Sequence, residues 1–231
     1  LIPLVPSPSL LPVIRRLLTH ARLTEAEISA VALIRDHPTS VRQGTQIGEE
    51  RRAKPRFLLR GWVAHVRHLP DGRRQIIQLS VPGDLLPTFE KEAVEALTDC
   101  VLADASSLWT RASRGDAPGL MQAWHLSKAR DGARLADAVV RLGQMSAYER
   151  TVDLFEELQR RLDVCDPGHP ESYRVPLTQQ MLSEALGLSA VHVNRVLQRL
   201  RREDRFEFRS GVLRVGGSAS LGGRNSVTAA G

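Results

Sequence analysis

The stretch Pro176-Leu-Thr178-Gln-Gln-Met-Leu182-Ser-Glu-Ala-Leu186-Gly187-Leu188-Ser189-Ala-Val-His-Val-Asn-Arg195-Val-Leu-Gln-Arg-Leu200 decides how this chain is read. It describes two short helices joined at a glycine. Thr178 stands where a side-chain oxygen caps the first helix, and Ser189 where one caps the second. Leu182 and Leu186 form an apolar stripe on the first. Val193, Val196, Leu197 and Leu200 form one on the second, at the i, i+3, i+4, i+7 spacing of a half-buried helix. Gly187 falls at the sharp turn, where a left-handed backbone is favoured. Leu188 is placed to plug the corner. This is the pattern of a helix-turn-helix.

The same region is basic. Residues 174–214 hold eight arginines (Arg174, Arg195, Arg199, Arg201, Arg202, Arg205, Arg209, Arg214) against four acids (Glu184, Glu203, Asp204, Glu207). A basic face suits a polyanion. Downstream, Phe206-Glu-Phe208 and Val212-Leu-Arg-Val215 flank Arg209-Ser-Gly211. They read as two strands about a glycine turn, which adds a wing to the motif. Beyond Gly216 the Gly, Ser and Ala-rich tail reads as disordered.

Upstream, Asp166-Pro-Gly-His-Pro170 reads as a linker loop. Ser146-Ala-Tyr-Glu149 is a capping box that opens a helix to about Leu162. From Gly119 to Leu142 no proline intrudes, so the spacing predicts one helix of roughly 36 Å. Leu120, Trp124, Leu135, Val139 and Leu142 supply its apolar surface. A helix of this length invites pairing with its copy in a second chain, although Ser127, Lys128, Arg130 and Asp131 interrupt the heptad. Packing on its own domain is the alternative.

The N-terminal half has a different texture. Residues 1–12 are proline-rich and are expected to be unstructured or locally packed. A helix is predicted over Leu11–Leu18. Thr24-Glu-Ala-Glu27 is a second capping box, for a helix to about Leu33. His20 and His37 lie at helix edges, as surface or packing residues. From about Val41 short strands alternate with turns: Phe57-Leu-Leu59, Gly61 to Arg67, the turn Pro70-Asp-Gly72, Gln75 to Leu79, and the turn Pro82-Gly-Asp84. Ala93 to Leu108 reads as further strand. Strands at this spacing suggest a small antiparallel barrel or sandwich.

The 231 residues allow one large domain or two modest ones. The net charge is +6, and only Lys54, Lys91 and Lys128 are lysines. Cys100 and Cys165 form no disulfide framework and fit a reduced, cytoplasmic setting. There is no membrane-length apolar run and no basic-then-apolar leader. The missing initiator Met points to a processed or shortened N-terminus.

Over about residues 10–216 the order of elements resembles the Crp/Fnr family of bacterial transcription regulators. The most specific stretches are Phe57 to Asp84, Ser146-Ala-Tyr-Glu-Arg150 and Leu186 to Leu200. Val191-His-Val-Asn-Arg195 resembles a subgroup familiar from proteobacteria. The resemblance implies an α+β chain with a cyclic-nucleotide-binding-like β-roll, a long dimerisation helix and a C-terminal winged helix-turn-helix. On that basis the expected domains are residues 1–117 (helices and β-roll), 118–144 (dimerisation helix), 145–216 (DNA-binding) and 217–231 (tail). It also implies a homodimer on a pseudo-palindromic operator in double-stranded DNA, RNA polymerase as a candidate partner, and an unidentified effector or redox signal.

In such a regulator the start of the second helix enters the major groove, where base edges are distinguishable. Ser189 and nearby backbone N–H groups can hold a phosphate. By the resemblance, Arg195 reads a base, with guanine as its natural partner. The family positions matching Ala190 and Val191 often carry Arg and Glu, and both are absent. Either of these two residues can meet a thymine methyl. His192 and Asn194 are further polar candidates, His192 equally a phosphate contact or simply exposed. Thr178, Gln179, Gln180 and Arg209 are expected at the sugar–phosphate backbone. Arg199, Arg201 and Arg202, further along, are expected at phosphates.

The sensory inputs of the family are missing their residues. A cyclic-nucleotide pocket needs a Gly-Glu pair and a later arginine for the phosphate. After Arg74 no arginine comes before Arg111, and Glu90, Lys91, Glu92 and Glu95 offer only one cation. Two distant cysteines do not hold an iron–sulfur cluster. His65, His68 and His125 carry no ligand spacing, so no cofactor and no metal is expected. No nucleophile elbow, Walker loop or His-Glu-x-x-His motif is present, which argues against a hydrolase or transferase. The rival expectation is an effector-binding or scaffolding protein whose winged helix mediates protein contacts.

Overall fold

The structure, a computed structural model, describes residues 9–34, 38–47, 54–86, 93–168 and 171–217. His37, Lys91 and the tail beyond Gly217 lie outside the described residues. The chain divides into two compact units between Val139 and Val140. The architecture is α+β.

The first unit contains α1 (Leu11–Leu18), α2 (Glu25–Leu33), β1 (Thr39–Val41), β2 (Arg56–Arg60), β3 (Val63–His68), β4 (Arg74–Ser80), β5 (Ala93–Ala96), β6 (Cys100–Asp104) and α3 (Ser106–Ser113). It also holds most of α4 (Pro118–Gln144). Two antiparallel sheets form, ordered β1-β6-β2 and β4-β3-β5. The first is buried on both faces. Leu58, Cys100 and Leu102 join Val63, Val94 and Ala96 of the second sheet in one core cluster. Their neighbours Phe57, Leu59, Val101 and Ala103 join a second cluster with Val13, Leu17, Val31 and Leu108 of the helices. This is the period-2 alternation of a strand, but with both faces apolar. That is why Phe57-Leu-Leu59 reads as an unbroken apolar run. Gly61 has φ +92°, and a Cβ there would meet Asp99 O and Cys100 Sγ, each at 2.6 Å. Only glycine fits.

Two expectations are corrected. The strand reading of Ala93 to Leu108 holds only to Asp104. There the Asp104 carboxylate accepts the Ser106 N–H at 2.8 Å, and the chain turns into α3 with Leu108 and Ala112 buried. Within α4, Leu120 and Trp124 are not free for a second chain. They are filled into the helical core cluster, with Trp124 5.0 Å from the Trp109 ring and 6.1 Å from Phe57. Leu135 is half-buried, and Val139 is 71% exposed.

The histidines do not converge. His20 is buried, and burial with the neighbouring Arg130 charge pushes its imidazole down to about 4. His65 is buried with Nε2 3.1 Å from Ser80 Oγ, whereas His68 and His125 are exposed. Among the described residues no group of three or more His, Cys, Asp or Glu is arranged to hold a metal ion, and no helix is long and apolar enough to cross a membrane.

The Thr24 capping box does more than start α2. Thr24 Oγ1 accepts the Glu27 N–H at 3.2 Å, and Glu27 Oε2 accepts the Thr24 N–H at 2.8 Å. The other oxygen, Oε1, accepts the Leu120 N–H at 3.1 Å, at the start of α4. Gly119 lets the helix come this close: a Cβ there would meet Arg22 O at 2.5 Å and Glu27 Oε2 at 2.8 Å. One buried carboxylate therefore satisfies the N-terminal groups of two helices.

The second unit contains the last turn of α4, then α5 (Ala147–Cys165), β7 (Ser172–Arg174), α6 (Gln179–Leu186), α7 (Ala190–Arg202), β8 (Phe206–Arg209) and β9 (Val212–Val215). The wing is a three-stranded sheet, β7-β9-β8, rather than a bare hairpin. Buried Tyr173 and Val175 alternate with exposed Arg174 along the added strand and beyond it. Phe155 of α5 packs its ring 5.6 Å from Phe206 and 5.7 Å from Phe208. Arg141, 5% exposed, forks between Asp153 and Glu157, each at 2.7 Å.

Burial pushes the Glu27 carboxyl up, but the N–H groups of Thr24 and Leu120 outweigh it and hold the group below the usual glutamate range. Its stabilisation is therefore complete above the unfolded pKa of about 4.3 and is lost as pH falls through the folded value. Glu27→Ala removes a charged acceptor from buried N–H donors and is expected to cost about 2–4 kcal/mol at pH 7. In urea titrations that difference should shrink toward pH 3. A pH-independent cost would contradict the assignment.

Candidate nucleic-acid interface

The two helices of the opening motif form as the residues require. Thr178 Oγ1 accepts the Met181 N–H at 3.1 Å to cap α6. Ser189 Oγ accepts the His192 N–H at 3.3 Å to cap α7. Gly187 has φ +62°, the left-handed conformation that ends a helix abruptly. Leu188 is only half-buried, so the corner is not sealed by it alone. A second device, the Arg150 side chain, holds the corner. Its Nε donates to Met145 O at 2.8 Å, and its Nη1 donates to Leu186 O at 3.2 Å. Those are carbonyls at the C-terminal ends of α4 and α6, where helices leave acceptors unsatisfied.

Helix α7 buries Val193, Val196, Leu197 and Leu200. At 3.6 residues per turn, the row directly opposite is Val191, Arg195, Gln198 and Arg202, and all four are exposed. The flanks of this row are tied down. On one side Asn194 Oδ1 accepts from Gln198 Nε2 at 2.8 Å, and its Nδ2 donates to Gln179 Oε1 of α6 at 3.4 Å. On the other side Arg199 Nε meets Glu203 at 2.7 Å, with its guanidinium 4.2 Å from the Tyr148 ring centroid. Tyr148 donates to the same Glu203 carboxylate at 2.5 Å. Burial and Glu203 together raise the Tyr148 phenol above its ordinary range.

These ties sort the expected contacts. Asn194 and Gln179 bind each other, and Gln180 binds Glu184 at 3.1 Å. Arg199 is engaged with α5 and Glu203. Arg201 and Arg214 both lie near Glu207, at 3.4 and 3.6 Å, and Arg205 pairs with Glu156 at 2.9 Å. Arg174, Arg195, Arg202 and Arg209 have no acidic partner among the described residues. Arg195 and Arg202 stand on the outer row of α7. Arg209 is exposed at the wing turn, where Ser210 and Gly211 have φ of +51° and +71°. Ala190 and His192 are exposed beside the outer row. The N–H groups of Ala190 and Val191, in the first turn, find no partner among the described residues, and this is the arrangement that receives a phosphate.

Sequence reasoning missed the roles of Arg141, Tyr148, Arg150 and Gln198. Arg150 was visible only as the residue after a capping box. Its two carbonyl partners lie in different helices, and no local spacing announces them.

Residues 133–215 match the family model of the Crp-like helix-turn-helix domain. The nitrogen fixation regulation protein FixK of Bradyrhizobium diazoefficiens is 29% identical over 152 residues, covering 63% of this chain and 62% of that protein. The protein of the same name from Azorhizobium caulinodans is 30% identical over 148 residues, covering 62% and 59%. The match thus spans about three fifths of the length of these relatives. Among solved structures, FixK2 from Bradyrhizobium japonicum superposes with a TM-score of 0.67 at 24% identity, covering 84% of this chain and 98% of that one. The fold is that of Crp/Fnr-type transcription regulators.

Ser189→Ala is expected to cost about 1 kcal/mol of stability through loss of the cap. Hydrogen exchange should locate the effect in the first turn of α7, with Leu200 at the other end unaffected. Uniform loss of protection along the helix would contradict a local cap.

Proposed function

We propose that this chain is a homodimeric, sequence-specific DNA-binding transcription regulator of the Crp/Fnr type and not an enzyme. The observation that carries the reading is the outer row of α7. Two arginines without acidic partners stand on it, on a helix whose opposite face is wholly buried. A helix so mounted fits a major groove, and an exposed guanidinium without a partner fits the O6/N7 edge of guanine. Arg195 reads the base. Arg202 and the wing residue Arg209 meet phosphates, and Thr178, Gln179, Gln180, Ser189 and His192 are further candidate contacts to the DNA backbone. The resemblance to FixK proteins supports the same class.

Homodimerisation through α4 belongs to this reading. The exposed Val139 and Val140, with half-buried Leu135 beside them, form an apolar patch near the C-terminal end of α4, beyond the part that Leu120 and Trp124 bury in the core. A two-fold dimer matches a pseudo-palindromic operator, with half-sites one helical turn apart. The regulator works in the cytoplasm, and RNA polymerase is its second partner at a promoter. Control by a cyclic nucleotide is not part of the proposal, because Arg74 is already paired with Glu95 at 2.8 Å. The Val191-His-Val-Asn-Arg195 run is assigned to a proteobacterial subgroup on its sequence resemblance alone.

The test is fluorescence anisotropy on an operator selected from random duplexes and on a scrambled one, at two salt concentrations. Arg195→Ala is expected to lose about 1–3 kcal/mol of discrimination at one base pair per half-site while keeping non-specific binding. Equal weakening on both duplexes would make Arg195 a phosphate contact. Separately, sedimentation is expected to show twice the 25.6 kDa chain mass at micromolar concentration. Leu135→Glu with Val139→Glu should yield the monomer. A monomeric wild type would overturn the dimer.

A further inference from the structure

We propose that Val191 recognises the C5-methyl group of a pyrimidine in each half-site, and that it accepts thymine and 5-methylcytosine alike. The inference rests on the DNA-binding reading above and specifies what one position of that surface recognises.

Val191 is 63% exposed, and it shares the outer row of α7 with Arg195, one turn before it. Its sequence neighbours on the surface are short or polar. Ala190 reaches less far, and Ser189 has turned its hydroxyl back to cap the helix. Val191 is therefore the one sizeable apolar group at the leading end of the helix, where the chain goes deepest into a groove. A β-branched side chain in a helix is nearly fixed in one rotamer, so the two methyls form a rigid surface rather than a mobile one. In the major groove the only apolar group on a base edge is the methyl at pyrimidine C5.

The row fixes the register as well. Arg195 offers a bidentate donor for guanine, and Val191 lies on the same line about 6 Å earlier along the axis. Of the flanking polar side chains at this end, Asn194 is held by Gln179 and Gln198, whereas His192 is exposed on the other side of the row. Valine has neither donor nor acceptor, so it cannot tell the O4 of thymine from the N4 of cytosine. It registers only whether a methyl is present. Methylation of cytosine at C5 would therefore strengthen binding at a site that carries cytosine in place of this thymine.

The test uses the full chain and the operator it selects from random duplexes. Thymines are replaced one position at a time, in both half-sites, by deoxyuridine, which deletes only the methyl. At one position the wild type is expected to weaken about fourfold per half-site, roughly the value of one buried methylene. Val191→Ala, a change at an exposed position, should bind the thymine and deoxyuridine operators within twofold of each other. At the same position a 5-methylcytosine·guanine pair should bind about fourfold better per half-site than cytosine·guanine. If no deoxyuridine position weakens the wild type, or if Val191→Ala keeps the difference, Val191 does not read a methyl. If deoxyuridine weakens binding but 5-methylcytosine gives no gain, the equivalence of the two bases is wrong. Failure to select any operator would overturn the DNA-binding reading itself, whereas a selected operator indifferent to its methyls would overturn only the role of Val191.

Discussion

Presentation of the outer row of α7 depends on the guanidinium of Arg150. Its two N–H groups end two helices at once, taking Met145 O and Leu186 O. Gly187 then reverses the chain with a left-handed residue, and the added Cβ of any other amino acid would come 3.3 Å from the Leu142 side chain. The turn out of α6 is thus held by one cation at Leu186 O and by one left-handed residue. Lysine has the charge but not the fork, so it would satisfy one carbonyl and leave the other. The Arg141 fork to Asp153 and Glu157 does related work a turn earlier, joining the end of α4 to α5 with charges that are largely out of water. Removing one side of such a pair costs more than the pair itself contributes, because the remaining charge stays buried alone.

Much of this was legible before any coordinates. Caps announce themselves by spacing: Thr24, Ser146, Thr178 and Ser189 all cap as their sequence positions demand, since the bond each makes is to a residue three positions away. Apolar periodicity in α7 likewise named its buried face. What failed to read through was whatever depends on partners distant in the chain. Ser172-Tyr-Arg174 is too short to score as a strand by itself, and it becomes one only because β9 offers an edge. Leu120 and Trp124 look like a dimer seam until α1, α3 and β2 are folded against them. At the interface, arginine count was visible but arginine availability was not. Four of the eight are near acids, and only geometry separates Arg195 and Arg202 from Arg199 and Arg205.

On the proposed DNA-binding reading, that separation bears on how a basic protein avoids indiscriminate binding. Phosphate contacts add affinity on every sequence, whereas base contacts add it on one. Pairing Arg199, Arg201, Arg205 and Arg214 with Glu203, Glu207 and Glu156 lowers the sequence-independent part. Arg195, the proposed base reader, has no acidic partner among the described residues. If α7 binds DNA as proposed, the acids near it shape the ratio of the two kinds of binding, and their removal would raise affinity while eroding selectivity.

Glu27 and Leu120 are 93 residues apart, and the ribosome releases them in that order. At roughly 5–20 residues per second, the carboxylate emerges roughly 5–20 s before the amide it will hold. The bonds to Thr24 need only four consecutive residues, whereas the bond to Leu120 must wait until Gly119 and Leu120 have been made. The two halves of this carboxylate's work therefore belong to different stages of synthesis, one local and one dependent on the far end of the first unit.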